Sequence, residues 1–401
     1  MLFSKSQTET LDETAMTKQE TITTYQEGWQ TTTNQELQPS ITLENLQPQK
    51  SLKINFNTMS LELSGGARVI LELASRLQSH GHKVSINAVG RDGDAKWFGD
   101  ISGVKVNFAF PSRINRLMQQ KILRRNFRDV QTDLLGEMAV DSDCDVNVAT
   151  FCLTAYPTFE NSNGCGTFYL VQNYEPLFFK DAAFAEKAEK SYNLPLTKLC
   201  VSKWLQQKVG GHYIGNGVNT KVFRPQNSFF EKERKSILYL FRGIAWKGDD
   251  LAIETLRFLH RNLPNVNIHI VARKYAHIQA DFPYQLHVDP SDEELAKLYS
   301  QVHVLLFTSD FEGYGLPPLE AMASGTNVVS TNFTGNEYLI HGQNCFLAQD
   351  AKGLANKAAK LMIDTAEAQA QLENAKLTVK MHDFDLVTQR VQEQFYASGG
   401  L

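Results

Sequence analysis

The stretch FTSDFEGYGLPPLEAMASGTNVVST, residues 307–331, packs a strand end, a glycine-bearing loop and a helix start into one short passage. The strand is VHVLLFT, a run of apolar and β-branched residues just before and into it, and the helix opens at about Leu316. A helix N-terminus presents unpaired N–H groups and the positive end of the peptide dipole, a natural seat for a diphosphate. Gly313 and Gly315 let backbone come close to a ligand, and Pro317 and Pro318 suit a first helical turn. Two carboxylates stand eight positions apart here, Glu312 in the loop and Glu320 about one turn into the helix. Carboxylates bind phosphate poorly but accept well from sugar hydroxyls. Glu320 sits among Leu319, Ala321, Met322 and Ala323, an apolar setting that a merely solvated Glu would not choose.

Outward from this point the chain alternates strands and helices. LYLFRGIAWKGDD, residues 238–250, is a strand ending at Arg242, a short loop, and a helix opened by Lys247-Gly248. Its two cations form a second half-clamp for diphosphate oxygens, able to neutralise charge on a departing nucleotide. Upstream, SLKINFNTMS is a strand followed by the glycine turn at Gly65 and Gly66 and a helix with Val69, Ile70, Leu73, Ala74 and Leu77 at helical spacing. The strands HKVSINAV, VKVNFAF, DVNVATF, GTFYLVQ and TKLCVS follow, then a turn-rich crossing, HYIGNGVNTKVFRPQ. KSILYLF opens a second series, continued by NVNIHIVA, YQLHV, VHVLLFT, TNVVST and CFLA. This pattern predicts an α/β protein of two doubly wound domains.

The expected division is a polar extension over 1–50, an N-terminal domain over 51–215 joined by the C-terminal helix 383–401, and a second domain over 216–382. At 401 residues, with 42% hydrophobic and 21% charged residues, the chain can afford two cores. Residues 1–50 are rich in Thr, Gln, Glu and Ser and bury too little to offset their ordering entropy.

A net charge of -4 argues against a nucleic-acid binder. Five scattered cysteines, with no CxxC pair, suit buried small side chains in a reducing compartment rather than a disulfide framework. No long apolar run or secretory leader is present, so a cytoplasmic location is expected. The DxD triplets at Asp92–Asp94, Asp141–Asp143, Asp143–Asp145 and Asp383–Asp385 read as turn and cap chemistry, and neither a metal nor a cofactor is expected. RINRLMQQKILRRNFR, residues 113–128, is basic with an apolar side. It is either an ordinary domain helix with a solvated basic face or a peripheral contact with anionic membrane.

The quoted motifs resemble the retaining transferases of glycosyltransferase family 4, of the GT-B fold. Glu312 and Glu320 match that family's pair of glutamates separated by seven residues, within EGYGLPPLEAMASG. FRGIAWKG is similar to its Arg…Lys-Gly loop, IGNGVNTKVFRP to its interdomain hinge, and SGGARVILELASRLQSHGHKV to its first glycine loop and helix. The resemblance is strong over Gly211–Ala348 and weaker over Ser51–Val89. It implies two Rossmann-like domains facing across a cleft, with a nucleotide-sugar donor (dTDP- or UDP-linked) and a glycan or lipid-linked glycan acceptor.

By the same resemblance Glu312 contacts the donor sugar, Glu320 the ribose hydroxyls, and Arg242 and Lys247 the diphosphate. The amides of Gly313, Tyr314, Gly315 and Leu316 line phosphate or sugar. Gly65 and Gly66 border the cleft, and Arg273 lies near the base. GTFYLVQNYEPLFF, residues 166–179, is similar to a segment of rhamnosyltransferase-like members; Gln172, Tyr174 and Glu175 follow a buried-type strand and either face the cleft on the acceptor side or belong to an aromatic lid or packing segment. No protein nucleophile is nominated. The acceptor hydroxyl would attack on the face the nucleotide leaves, and the leaving diphosphate would take its proton. The chain departs from many members in having no histidine between residues 90 and 165. Two rivals to glycosyl transfer stand beside it: sugar-nucleotide epimerisation, and a non-catalytic partner or scaffold of the same fold.

Overall fold

The computed structural model describes residues 50–91, 94–99, 101–110, 143–161, 164–226, 235–274 and 276–397. The basic stretch 113–128 lies outside these, as does all of 1–50 except Lys50. The chain divides into two compact units, Met1–Lys50 and Ser51–Leu401. Everything below concerns the second.

That unit is built on two sheets. The first contains β1 (Lys53–Thr58), β2 (Lys83–Arg91), β3 (Lys105–Phe110), β4 (Val146–Ala149), β5 (Gly166–Val171), β6 (Thr197–Cys200) and β7 (His212–Tyr213). Their spatial order is β3-β2-β1-β4-β5-β6-β7, every pairing parallel. The second contains β8 (Ser236–Leu240), β9 (Asn267–Ala272), β10 (Gln285–Val288), β11 (Val304–Phe307), β12 (Asn327–Ser330) and β13 (Phe346–Leu347). Its order is β10-β9-β8-β11-β12-β13, again all parallel. Each sheet starts in its middle, winds to one edge, and returns to wind to the other. The reversal between β1 and β4, and between β8 and β11, opens a crevice at the strands' C-terminal ends, where such sheets bind ligands. The doubly wound fold expected from the sequence is therefore present in both halves.

Parallel strands covered on both faces read as continuous apolar runs, and β8 and β11 are buried at every residue. The first sheet differs, because its buried face carries a row of asparagines. Asn57 lies between Asn87 and Asn147; the Asn87 amide donates to Asn57 at 3.2 Å, and Asn57 donates to Asn147 at 2.7 Å. Asn107 extends the row by donating to Asn87 at 2.8 Å. A one-residue slip of any strand would leave these buried amides unpaired, so the row pins register.

The helices in chain order are α1 (Gly65–Ser79), α2 (Cys152–Glu160), α3 (Ala182–Ser191), α4 (Lys203–Val209), α5 (Asp249–Asn262), α6 (Asp292–Gln301), α7 (Leu316–Ala323), α8 (Ala351–Ile363), α9 (Thr365–Met381) and α10 (Phe384–Ala397). The chain crosses between the halves twice, and the two crossings hold each other. Val218 N donates to His382 O at 2.8 Å, and Phe384 N donates to Val218 O at 3.3 Å. Beyond the second crossing α10 returns to the first half. There Asp385 pairs with Arg76 of α1 at 2.7 Å, and Phe395 meets Phe168 of β5 edge-on at 4.8 Å.

Among the described residues, no helix is long and apolar enough to cross a membrane. Cys152, Cys200 and Cys345 are buried, as small apolar side chains would be. Cys144 and Cys165 are only half-buried, with sulfurs 3.1 Å apart, because both lie where β4 and β5 begin. Of the triplet aspartates described, Asp383 makes a local bond at the start of α10, whereas Asp143 and Asp145 both bond across to Lys53 rather than within a turn of their own. Asp145 accepts from Lys53 N at 2.7 Å, Asp143 pairs with the Lys53 ammonium at 2.6 Å, and Asp383 accepts from Asp385 N at 2.8 Å.

Candidate active site

The site is assembled by loops leaving the C-terminal ends of β1, β5, β8 and β11. After β11 the chain runs through residues 308–315 to α7. Gly315, at φ +78°, sits in the left-handed region, with a Phe333 ring atom 2.7 Å from where a Cβ would stand. Any side chain there would be both strained and blocked. Pro317 and Pro318 follow in the first turn. Gly313 has ordinary dihedrals, but a Cβ on it would lie 1.9 Å from the carbonyl oxygen of Gln172. Its glycine is required by the contact across the cleft.

Glu312 is fixed from both sides by Thr334, whose hydroxyl accepts from Glu312 N at 3.1 Å and donates to Glu312 O at 2.7 Å. Its nearly buried carboxylate accepts from Lys247 Nζ at 2.6 Å and from the Ser309 hydroxyl at 2.8 Å. Lys247 ends a short 3-10 turn, Ala245–Lys247, and Gly248 then caps α5, so the helix begins two residues after the lysine. Asp249 organises this loop by accepting from the N–H groups of Arg242, Gly243 and Ile244 at 3.1, 2.7 and 3.2 Å. The Arg242 side chain is exposed.

Glu320 is buried in α7, and its carboxyl is raised above its ordinary range by burial, with the positive charges of Arg68 and Arg242 pulling the other way. Arg68 is the residue that sequence reasoning missed. It projects from α1, its Nε 3.6 Å from Glu320 Oε1, while its guanidinium grips both oxygens of Asp292, one at 2.6 Å. Trp97 and Phe223 flank the guanidinium at 5.4 and 5.6 Å. Burial alone would lower the arginine's basicity; the carboxylates of Glu320, Asp292 and Glu72 outweigh it and raise it. The available signal was a single cation directly after Gly66-Ala67, in a helix whose neighbouring positions are apolar.

The other half supplies the facing wall. A Cβ on Gly65 would lie 3.8 Å from Leu316, and one on Gly66 would lie 3.6 Å from the Gln172 amide. Gln172 thus stands between the two glycine loops. Arg273 reaches across as well, donating to Leu63 O at 2.6 Å.

Tyr174 and Glu175 do not join this group. The Tyr174 ring stacks on Tyr192 at 6.0 Å and its hydroxyl is taken by Glu189. Glu175 is buried under the first half, accepting from Cys152 N at the start of α2 at 2.5 Å and from the Tyr169 hydroxyl at 2.8 Å. Burial pushes its carboxyl up to about 8. The chain bends after Gln172; Glu175 enters the core, whereas Tyr174 stays half-buried with its bond to Glu189 on the exposed side. Tyr314 likewise directs its ring into the core, stacked on Tyr338 at 4.9 Å, so only its backbone faces the cleft loops.

Residues 234–364 match the family described as Glycosyl transferases group 1. The O-antigen biosynthesis protein RfbC of Myxococcus xanthus is 27% identical over 224 residues, a match covering 53% of this chain and 18% of that protein. An uncharacterized glycosyltransferase of Haemophilus influenzae is 23% identical over 320 residues, covering 74% of this chain and 86% of its own. The O-antigen chain mannosyltransferase RfbU of Salmonella typhimurium is 31% identical over 101 residues, covering 25% and 28%. In fold, the structure of Anabaena HepE with UDP-glucose superposes with a TM-score of 0.68 over 86% of this chain and 100% of that one, at 17% identity. Residues 234–364 thus match a group 1 glycosyltransferase domain, and the chain has the GT-B fold.

Proposed function

We propose that the chain transfers a sugar, with retention, from a nucleotide-diphosphate donor to a growing surface polysaccharide or its lipid-linked precursor. The observation that carries this reading is the convergence of Lys247, Glu312, Arg242 and Glu320 around the start of α7, opposite Gly65, Gly66 and Gln172. The α7 amides and Lys247 would hold the diphosphate and stabilise charge as the glycosidic bond breaks. An ammonium carries three donors, and Glu312 uses one of Lys247's. Glu312, positioned by Ser309 and Thr334, would accept from donor-sugar hydroxyls, and Glu320 from the ribose. The acceptor hydroxyl attacks the anomeric carbon as its bond to the phosphate oxygen breaks, and the departing diphosphate takes the acceptor's proton. Catalysis on this account rests on positioning and electrostatics.

Among donors we favour dTDP-rhamnose, on the likeness of residues 166–179 to rhamnosyltransferase-like members. The likeness to RfbU, an O-antigen chain mannosyltransferase, supports an activated mannose as the second reading. Calorimetry with dTDP-, UDP- and GDP-sugars on the wild type and Glu312→Gln separates them. One nucleotide bound, and its sugar transferred with retention by the wild type alone, supports the proposal. An intact protein that binds none refutes it, and a donor converted without any acceptor would point to epimerisation.

A further inference from the structure

Eight large hydrophobic side chains are exposed among the described residues, and three of them belong to the rim of this site: Phe178, Ile244 and Trp246. Phe178 is 39% exposed and Trp246 37%, yet their rings face one another at 6.4 Å with only 24° between their planes. They come from opposite halves of the molecule. Trp246 immediately precedes Lys247, and its carbonyl accepts from Asp310 N at 2.9 Å, two residues before Glu312. Phe178 closes the short turn Glu175–Phe178, whose first residue is the buried carboxylate anchored to Cys152 and Tyr169. Both rings are therefore held by fixed backbone and stay partly exposed as a pair. Exposed apolar side chains gathered on a cleft rim, with polar groups below, mark a binding surface. Aromatic rings offer large contact area at low entropic cost.

We propose that Phe178 and Trp246 form an aromatic subsite that stacks a ring of the sugar acceptor. The C–H face of a pyranose is apolar and flat enough to lie on an aromatic plane, while its edge hydroxyls stay free to hydrogen-bond. An aromatic pair beside Lys247 and Glu312 would bring an acceptor ring to the reacting centre. It also explains the burial of Glu175: that carboxylate is a positioning group for the turn bearing Phe178. The inference rests on the glycosyltransferase reading and specifies which residues of the 166–179 segment meet the acceptor.

The test is saturation-transfer NMR with a pool of octyl α-rhamnoside, octyl α-mannoside, octyl β-glucoside and octyl β-N-acetylglucosaminide. Sugar-ring protons should receive saturation from the wild type. That transfer should fall at least fivefold in the Phe178→Ala/Trp246→Ala double variant and recover in Trp246→Phe. Equal transfer in the double variant, transfer confined to the octyl chain, or none in the wild type would overturn the subsite. Thermal shifts with dTDP, UDP and GDP on the same wild-type sample keep the two questions apart. Nucleotide binding without ring saturation refutes the subsite alone, and a wild type that binds no nucleotide refutes the functional reading beneath it.

Discussion

Replacing Arg68 by methionine removes the one cation shared by Glu320 and Asp292. Side-chain exposure is 10% for Arg68, 7% for Glu320 and 14% for Asp292, so the charges lie well inside the protein. Taking one member from such a buried group costs about 3–5 kcal/mol, because the remaining charge is left uncompensated. Here the cost falls toward the lower end. Asp292 opens the first turn of α6 and can rehydrate, and Glu320 can take up a proton. We expect a loss of about 3 kcal/mol, roughly a hundredfold in the unfolding equilibrium. The stem of methionine preserves much of the packing against Trp97 and Phe223.

The pH dependence separates this account from simple loss of contacts. The Glu320 carboxyl is already raised by burial, and Arg68 is the main group holding it down. Without Arg68 it rises further, so folding of the variant is penalised wherever Glu320 must be charged. The destabilisation should be largest near pH 8 and shrink toward pH 5, as the buried carboxyl is neutralised in the folded state. Urea unfolding of wild type, Arg68→Met, Glu320→Gln and the double variant at both pH values completes the cycle. The double variant should recover about 1–2 kcal/mol relative to additivity. A loss under about 0.5 kcal/mol for Arg68→Met, or a loss that does not change with pH, refutes the reasoning.

Gly313→Ala should lower kcat/KM for transfer about a hundredfold, because its methyl would meet the Gln172 carbonyl and push the two walls apart; circular dichroism should show both halves still folded. Lys247→Met should cost about 10²–10³ in kcat, read from timed release of nucleotide diphosphate in the presence of acceptor. Glu175→Gln tests the buried anchor. Its folded pKa of about 8 lies above the unfolded value, so the wild type is favoured at low pH and loses stability as pH rises toward 8. Removing that titration should flatten the fall by about 1 kcal/mol per pH unit, measured as denaturant midpoints from pH 5 to 8.

The fold and the loop that leads into α7 were legible because both are written in local terms. The central strands β8 and β11 are nearly continuous apolar runs, and Glu312, Gly313, Gly315 and Glu320 sit in one uninterrupted stretch whose loop-to-helix geometry is set by its own glycines and prolines. The two-residue strand β7 was read as part of the crossing, since His212-Tyr213 has too little length to show a period. Arg68 was hidden for a different reason. Its partners lie 224 and 252 positions away, on a helix and a loop-helix of the other half, and no local pattern records such a pairing. A polar residue after a buried strand reads as facing the cleft, but at Glu175 the backbone turns and the carboxyl caps α2, in keeping with the packing alternative for this segment.

These misses share a physical origin that bears on how the site works. The residues legible in sequence lie in local loops, Glu312 to Glu320 on one wall and Gly65, Gly66 and Gln172 on the other; what was not legible is which groups meet across the cleft: Arg68 with Glu320 and Asp292, Gln172 with Gly313, Phe178 with Trp246. A wall can be specified by a local sequence, but its apposition to the other depends on side chains that meet only after both halves have folded. If the two halves move relative to each other, Arg68 reports that movement most directly, because its guanidinium belongs to one half and its buried carboxylate partners to the other. Separation would expose Glu320 to water and return it toward its ordinary carboxylate range. In that event the protonation of one buried glutamate would follow the separation of the two halves.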